Sequence, residues 1–363
     1  MIIIGGGPAG SAAAISLARA GHRPVLIERA AGPAEKVCGD FLSTDTIQIG
    51  RSLGVDPVAL GGVPIRLMRL IHGERMAETA LPFAALGLSR RVFDAALLRQ
   101  AEREGAEVRA GQSVRRLTWD GSRWTVGLAD QTERTAMTVF QATGKHDLRD
   151  LPRPHSPGDA VGMKMYFSLT PEASKRLEGA VELTLFSGGY AGMQHVEDGR
   201  CVLCIAVRRA PFQAVGGTWA GLIGSIEAGS RRFAALLQGA RPLLPRPLAV
   251  AGIPYGYRAR RAPPDGLFRL GDQAAVIPSL TGDGMAIALH SGTTAAATWL
   301  TGGTAATYQQ TMHRTLVRQM RLAGVLHRTG MSGPMQAAAV QAGQWFPGLL
   351  RQAASRTRLP SGA

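Results

Sequence analysis

Six residues near the start of the sequence, Gly5-Gly6-Gly7-Pro8-Ala9-Gly10, fit G-x-G-x-x-G and follow the apolar run Met1-Ile2-Ile3-Ile4. In such a pattern Gly5 permits a tight turn, Gly7 lets a pyrophosphate approach the backbone, and Gly10 allows a helix to pack closely on a strand. Pro8 and Ala9 open that helix, whose positive N-terminus faces the phosphates. The pattern alone is weak. It gains weight from Glu28, at the end of the next apolar run and about 20 residues on, where an acid accepts hydrogen bonds from the ribose hydroxyls of an adenosine. Arg29 follows as a candidate phosphate contact.

A second constellation lies far along the chain. Residues 268–272 read as a strand ending in Gly271-Asp272. A loop with Pro278 and the turn Gly282-Asp283-Gly284 then lead through Met285 into an Ala-rich helix. An aspartate at a strand end can accept hydrogen bonds from a polyol hydroxyl. The turn offers backbone N–H groups and a helix N-terminus to an electron-rich ring edge, an arrangement that raises the reduction potential of a flavin. The two constellations together point to a split site for one extended cofactor.

The elements that must carry these residues are readable in outline. Residues 1–4, the helix 11–20 stopped by Gly21, and the strand 24–28 form a βαβ unit, which requires a parallel sheet. An amphipathic helix is expected over 91–104, with Ser89 as N-cap and Gly105 as stop. A strand at 108–110 and a meander over 114–128 and 135–141 follow, with Asp120-Gly121 as a turn. The Pro-rich stretch 149–157 reads as a linker. Strands are expected over 161–169 and 181–209, a helix over 284–300, helices over 304–355, and a frayed tail over 356–363. The expected fold is α/β: a Rossmann-like dinucleotide domain with an inserted β-sheet substrate domain and a helical C-terminus. Its expected segments are 1–150 (including a short substrate-domain piece near 61–88), 151–262, 263–303 and 304–363.

Composition narrows the class. The 363 residues are 45% hydrophobic and 18% charged, which excludes a disordered or fibrous chain. Three cysteines, Cys38, Cys201 and Cys204, cannot build a disulfide framework for this length, and no run of apolar residues is long enough to span a bilayer, so a cytoplasmic protein is expected. The net charge of +15 invites a nucleic-acid reading, but only four basic residues are lysines. The arginines, such as the group Arg258, Arg260 and Arg261, are scattered and not interleaved with aromatics. That bias reads as a GC-rich bacterial coding background, and no nucleic-acid partner is expected. Cys201-Val202-Leu203-Cys204 sits on an expected strand, where residues three apart face opposite ways, so no metal or redox pair is expected.

The combination of G-G-G-P-A-G, Gly271-Asp272 and P-S-L-T-G-D-G resembles FAD-dependent oxidoreductases of the glutathione-reductase type, the group that includes aromatic hydroxylases. Lys36-Val37-Cys38-Gly39-Asp40 resembles the K-x-C-G-G segment of the geranylgeranyl reductase family, with Asp40 in place of the second glycine. Arg90-Arg91-Val92-Phe93-Asp94 resembles that family's R-x-x-F-D, which places Arg90 at the cofactor, and Ala142-Thr143-Gly144 matches the strand end that returns beside it. The resemblance implies FAD held by Gly5, Gly7, Pro8, Ala9, Gly10, Glu28, Arg29, Lys36, Cys38, Arg90, Ala142, Gly144, Asp272, Pro278, Gly282, Asp283, Gly284 and Met285. A nicotinamide donor, NAD(P)H, would bind transiently, because only one dinucleotide fingerprint is present. The family's W-x-F-P wall is missing from the corresponding stretch 189–196, which reads as a more polar substrate cavity. The halogenase W-x-W-x-I-P run is missing too.

Candidate catalytic groups are Cys38, Asp40 and His146, with Lys145, Lys164 and His195 as further polar groups near the expected cavity. The expected activity is an FAD-dependent monooxygenase or oxidase, using reduced flavin and O2 on a small aromatic or polyketide-like metabolite. The alternatives are a geranylgeranyl reductase-like reduction of a carbon–carbon double bond, with Cys38 or a neighbour as proton donor, and an electron-transfer flavoprotein. A weak peripheral membrane contact through Arg318, Arg321, Arg328, Arg351, Trp345, Phe346, Leu349 and Leu350 is a further expectation.

Overall fold

Short aliphatic runs that are buried on both sides build the first sheet. Strands Leu267–Arg269, Val139–Gln141, Ile2–Ile4, Val25–Glu28 and Glu107–Ala110 lie side by side in that order, all parallel. The structure, a computed structural model, describes residues 1–153, 158–260 and 264–359. The helix Pro8–Arg19 follows the first strand through Gly5, whose φ of 106° and whose missing Cβ, 2.3 Å from the Ala142 carbonyl oxygen, leave room for glycine only. At Gly10 a Cβ would stand 1.9 Å from the Gly5 carbonyl oxygen. This is the close helix–strand approach that the spacing implies. The Ala-rich face of the same helix packs on helix Gly284–Leu300, which brings the two glycine-containing turns, Gly5–Gly10 and Gly282–Gly284, to one side of the sheet.

The meander forms over a shorter stretch than expected: strands Val114–Trp119, Trp124–Leu128 and Glu133–Ala136 pair antiparallel, with Asp120 Oδ1 accepting from the Ser122 and Arg123 N–H groups in the turn, whereas Val139–Gln141, expected to end it, belongs to the parallel sheet. Helix Arg90–Arg103 begins at Ser89, whose hydroxyl accepts from the Val92 N–H.

A second, nine-stranded sheet carries the remaining wall. Its strand order is Arg241–Pro242, Ala160–Ser168, Cys201–Arg208, Gly189–His195, Ala180–Phe186, Val63–His72, Arg75–Gly87 and Phe41–Leu42, with Leu248–Ile253 also paired to Ala160–Ser168. The hairpin Val63–His72/Arg75–Gly87 occupies the piece expected near 61–88, and its first strand joins Ala180–Phe186 in parallel. Strand alternation splits this sheet cleanly. Met163, Met165, Leu203, Ile205 and Val207 face helices Trp219–Gly229 and Arg231–Leu237. Lys164, Tyr166, Tyr190, Gly192, Gln194 and Cys204 face the other way, toward the flavin side.

Helices Ala305–Met331, Gly333–Trp345 and Pro347–Arg356 close the structure, the last packing on strand Arg75–Gly87. The tail is not frayed through 359. Gln319 donates to the Thr357 carbonyl oxygen, and the Leu359 N–H donates to Asp45 Oδ2 at 3.1 Å. In the Pro-rich linker, Arg153 is buried against Asp147 at 2.6 Å. Residues 154–157, the end of the expected linker, together with Arg261 and residues 360–363, lie outside the described residues.

Candidate active site

Two cavities meet at one junction. The first runs from the glycine turn to the helix Gly284–Leu300 and is bordered by Gly7, Pro8, Ala9, Cys38, Arg90, Ala142, Gly144, Lys145, Asp272, Gly284 and Met285. It continues past Gly5, Glu28, Arg29, Lys36 and His146. The second is a chamber walled by Met68, Leu70, Leu81, Phe83, Val181, Leu183, Leu280 and Leu350. Gly39, Phe41, Cys204, Ser279 and Gly282 border both.

The first cavity fits a dinucleotide with a flavin at its inner end. Helix Pro8–Arg19 has no acidic residue in its first turn, so its N-terminal field is free for a pyrophosphate. Glu28 Oε2 accepts from the Gly6 N–H at 2.6 Å and Oε1 from the Ala30 N–H at 2.9 Å, which fixes the carboxylate and leaves lone pairs for ribose hydroxyls. At Gly144 and Gly284 the space a Cβ would take is empty, a cradle into which a ring can settle. Arg90 donates twice to Asp94, at 2.6 and 2.7 Å, so its guanidinium is held rigid beside Gly7.

Several expected site residues stand elsewhere. Asp40 borders neither cavity. It is fully buried, with Oδ2 2.7 Å from Lys164 Nζ and 2.5 Å from the Tyr166 hydroxyl, and its carbonyl oxygen accepts from Gln194 and the Leu88 N–H. Burial raises its carboxyl above the ordinary value while Lys164 pulls the other way. Its φ of 55° explains why the related motif has glycine here: the position is left-handed, and aspartate is among the few other residues that tolerate it. Asp40 is a structural node that sets the loop carrying Lys36 and Cys38, and it lines neither cavity. Lys164, the other half of the node, is equally buried.

Asp283 is also turned away from both cavities. Its Oδ1 is 2.5 Å from Arg358 Nη1, and burial pushes its carboxyl up to about 7, with Asp45 adding to the rise and Arg358 opposing it. Pro278 shapes the turn, its carbonyl oxygen accepting from the Thr281 hydroxyl at 3.1 Å, but borders neither space. Gly10 is buried in the helix–strand contact described above. His146 stands at the nucleotide end, away from the chamber, with Nε2 3.0 Å from Arg29 Nη2. Because arginine only donates, that nitrogen must be the acceptor and the ring neutral. Burial, then Arg29 and Lys36, lower the histidine's proton affinity. His195 points to Ser174 instead of into the chamber. Cys38 borders the flavin cavity alone.

The structure adds groups that sequence reading missed. Ser279 joins two tyrosines: its Oγ lies 2.6 Å from the Tyr255 hydroxyl and in contact with the Tyr190 hydroxyl. Tyr190 borders the chamber, Tyr255 the flavin cavity, and Ser279 both. Burial raises both phenols above their ordinary value, so all three hydroxyls stay neutral donors. Cys204, at the same junction, has its thiol pushed up to about 12 by burial, whereas Cys201 is sealed on the far face of the sheet. The expected polar cavity is instead apolar. Stretch 189–196 contributes Tyr190, Gly192 and Gln194, but the strands of the long hairpin and Ala180–Phe186 supply aliphatic and aromatic walls. Among the described residues no three His, Cys, Asp or Glu are grouped to hold a metal ion, and no helix is long and apolar enough to cross a membrane.

A family model described as an FAD binding domain matches residues 1–141, the segment that holds the glycine turn, Glu28 and Arg90. The chain carries an FAD-binding domain. This flavoprotein is 25% identical to digeranylgeranylglycerophospholipid reductase 2 of Methanopyrus kandleri over 303 residues, covering 80% of this chain and 74% of the relative. It is 30% identical to the menaquinone reductase of Mycobacterium tuberculosis over 151 residues, 40% of this chain and 37% of that protein. The match thus spans little more than a third of the mycobacterial relative's length. Its fold superposes on that of a flavin-dependent brominase with a TM-score of 0.79 at 17% identity, covering 98% of this chain and 92% of the other. FAD is the cofactor of the cavity that begins at Gly5.

Proposed function

We propose that this flavoenzyme reduces a carbon–carbon double bond in a long apolar, isoprenoid-like substrate. One observation carries the reading: the chamber that opens on the flavin cavity is walled by Met68, Leu70, Leu81, Phe83, Val181 and Leu183, with polar groups confined largely to its flavin end and to Arg358. Burying a chain of methylenes there contributes about 0.8 kcal/mol per CH2, which favours an alkyl or prenyl substrate over a small polar one. The likeness to a lipid double-bond reductase over most of both chains supports the same class.

Reduced FAD supplies a hydride. The protein's own part is to align the double bond, exclude water and provide the balancing proton. Tyr190, neutral and held by Ser279, is placed to give that proton to the carbon opposite the one that receives the hydride. Ser279 and Tyr255 then return a proton to Tyr190 from the flavin side. This assigns the donor role expected of Cys38 to a residue that borders the chamber. Helix Pro347–Arg356 seals the site through Leu350, Ala353 and Ala354, while Arg358 stacks on Phe83 at 4.5 Å and donates to the Thr281 carbonyl oxygen.

A second reading, oxygenation of a phenolic lipid by reduced flavin and O2, is favoured by the same hydroxyl trio, which matches a phenol oxygen as well as it matches a proton relay. None of the four lysines borders the chamber, and the halogenase W-x-W-x-I-P run is missing, so the brominase likeness is read as one of fold alone. Dithionite-reduced enzyme mixed anaerobically with a polyprenyl alcohol should reoxidise stoichiometrically and yield a product two mass units heavier per turnover. No anaerobic reoxidation, with a 4-alkylphenol gaining one oxygen atom in air, would overturn the reductase reading in favour of the oxygenase.

A further inference from the structure

The corner between helices Gly333–Trp345 and Pro347–Arg356 exposes Trp345 by 70%, Phe346 by 61% and Leu349 by 52%. Three large apolar side chains within five residues, bent around Pro347-Gly348, form an apolar tip that is more than half uncovered among the described residues. The same helix is two-sided. Leu350, Ala353, Ala354 and Arg358 recur at helical spacing and face the chamber, whereas Leu349, Arg351 and Arg356 face outward. The tip is therefore continuous with the chamber wall.

Charge says what covers it. From Gly284 to Ala363 the sequence holds seven arginines and no aspartate or glutamate. Arg314, Arg318, Arg321, Arg328, Arg351 and Arg356 are all exposed. At the corner itself, Gln344 donates to the Met76 carbonyl oxygen at 3.1 Å, which ties the tip to the hairpin turn beside exposed Arg75. The neighbouring carboxylates are committed, Glu74 to Arg231 and Glu78 to Arg69. A second copy of this face would bring arginines against arginines with no acid to answer them. An anionic bilayer offers both an apolar interior for the tip and phosphates for Arg351, two residues from Leu349, and for Arg75 beside the corner.

We propose that this corner inserts into anionic phospholipid membrane and that apolar substrate passes from the bilayer, around the end of helix Pro347–Arg356, into the chamber. The passage of substrate rests on the proposed lipid substrate; the docking does not. The test is sedimentation of the FAD-loaded protein with phosphatidylglycerol–phosphatidylcholine vesicles and with pure phosphatidylcholine vesicles, alongside W345S/F346S/L349S and R351E/R356E variants. Binding to the anionic vesicles alone is expected, falling about tenfold or more in either variant and weakening with added salt. Flavin content and circular dichroism identical to the parent show that the variants fold. Absence of binding to either vesicle overturns the proposal. So does a concentration-dependent dimer that the triple substitution abolishes, since the occupant would then be a second copy. Lipid reduction in detergent that persists without vesicle binding would overturn the docking and leave the reductase reading standing.

Discussion

The nucleotide end and the substrate end of the cleft are built in opposite ways. At the nucleotide end, backbone and small residues make the site: Gly5, Gly7, Gly144 and Gly284 shape the cavity, and Glu28 is held by two N–H groups, one of them Gly6 of the turn it serves. At the substrate end, side chains make it. Met68, Val181, Tyr190, Ser279 and Leu350 come from five separate elements, and no two of them from one short motif. A site made of backbone tolerates no added atoms, while a site made of side chains can be retuned residue by residue. That difference lets one FAD scaffold serve many substrates.

Breaking the nucleotide end should therefore have the largest effect. Gly7→Asp places a carboxylate where the pyrophosphate approaches; since only Arg90 Nη2, at 3.7 Å, stands near the added Cβ, the fold survives. FAD affinity is expected to fall by roughly a thousandfold, about 4 kcal/mol, read by the flavin retained through gel filtration. Retention of normal FAD would contradict the assignment. Between the two ends, Lys164→Met leaves Asp40 buried without its partner and should destabilise the protein by about 3–5 kcal/mol in chemical denaturation. Lys164→Met combined with Asp40→Asn should lose clearly less than the two single losses added.

The same contrast decides how much was legible in the sequence. Gly5, Gly10 and Glu28 act through neighbours within one βαβ unit, so their spacing alone revealed the turn, the helix and the acid. Thr218 and Ser230 are equally local signals, each an N-cap whose hydroxyl accepts from the Gly221 or Phe233 N–H, yet the two helices they start went unread in the part of 151–262 beyond the expected strands. The chamber was not legible. Its walls depend on strand Ala180–Phe186 pairing in parallel with Val63–His72, a register of residues more than a hundred positions apart that no periodicity encodes. Tyr190 and Ser279 are 89 positions apart for the same reason. Asp40 shows the subtler case. A catalytic-looking acid in a functional loop proved to be the residue that tolerates a glycine conformation while locking the loop to the sheet.

Substitutions at the substrate end should leave the cofactor in place and change only turnover. Tyr190→Phe removes the hydroxyl bordering the chamber and should lower single-turnover flavin reoxidation by substrate about a hundredfold with unchanged FAD affinity. Cys38→Ala should change that rate far less, because Cys38 borders the flavin cavity and not the chamber. The reverse result would return the donor role to the thiol.

Smaller effects distinguish the two buried edges of the flavin site through pH. Asp283 keeps its proton in the folded chain up to about pH 7, while an unfolded aspartate releases it near pH 4, so between those values the folded state binds the extra proton. Stability attributable to this group falls as pH rises through that window. Asp283→Asn should flatten the decline of Tm between pH 5 and 8 by a few degrees. An unchanged slope would mean that Arg358 holds the carboxylate ionised throughout.

His146 should give the smallest effect and the sharpest check on the division between the two ends. Its neutral ring accepts from Arg29 at 3.0 Å on the nucleotide side, so it orients a phosphate-facing arginine and reaches nothing in the chamber. Burial and the surrounding cations hold its proton affinity below the usual histidine range, so acid must drop past that lowered value before the ring charges and repels Arg29. His146→Ala should weaken FAD binding by less than about tenfold, since a single neutral hydrogen bond is worth about 1 kcal/mol. It should also remove the acid-side loss of FAD affinity and leave substrate-driven flavin reoxidation unchanged. A large loss of turnover in this variant would erase the boundary drawn here, because it would require a nucleotide-end residue to act on the substrate.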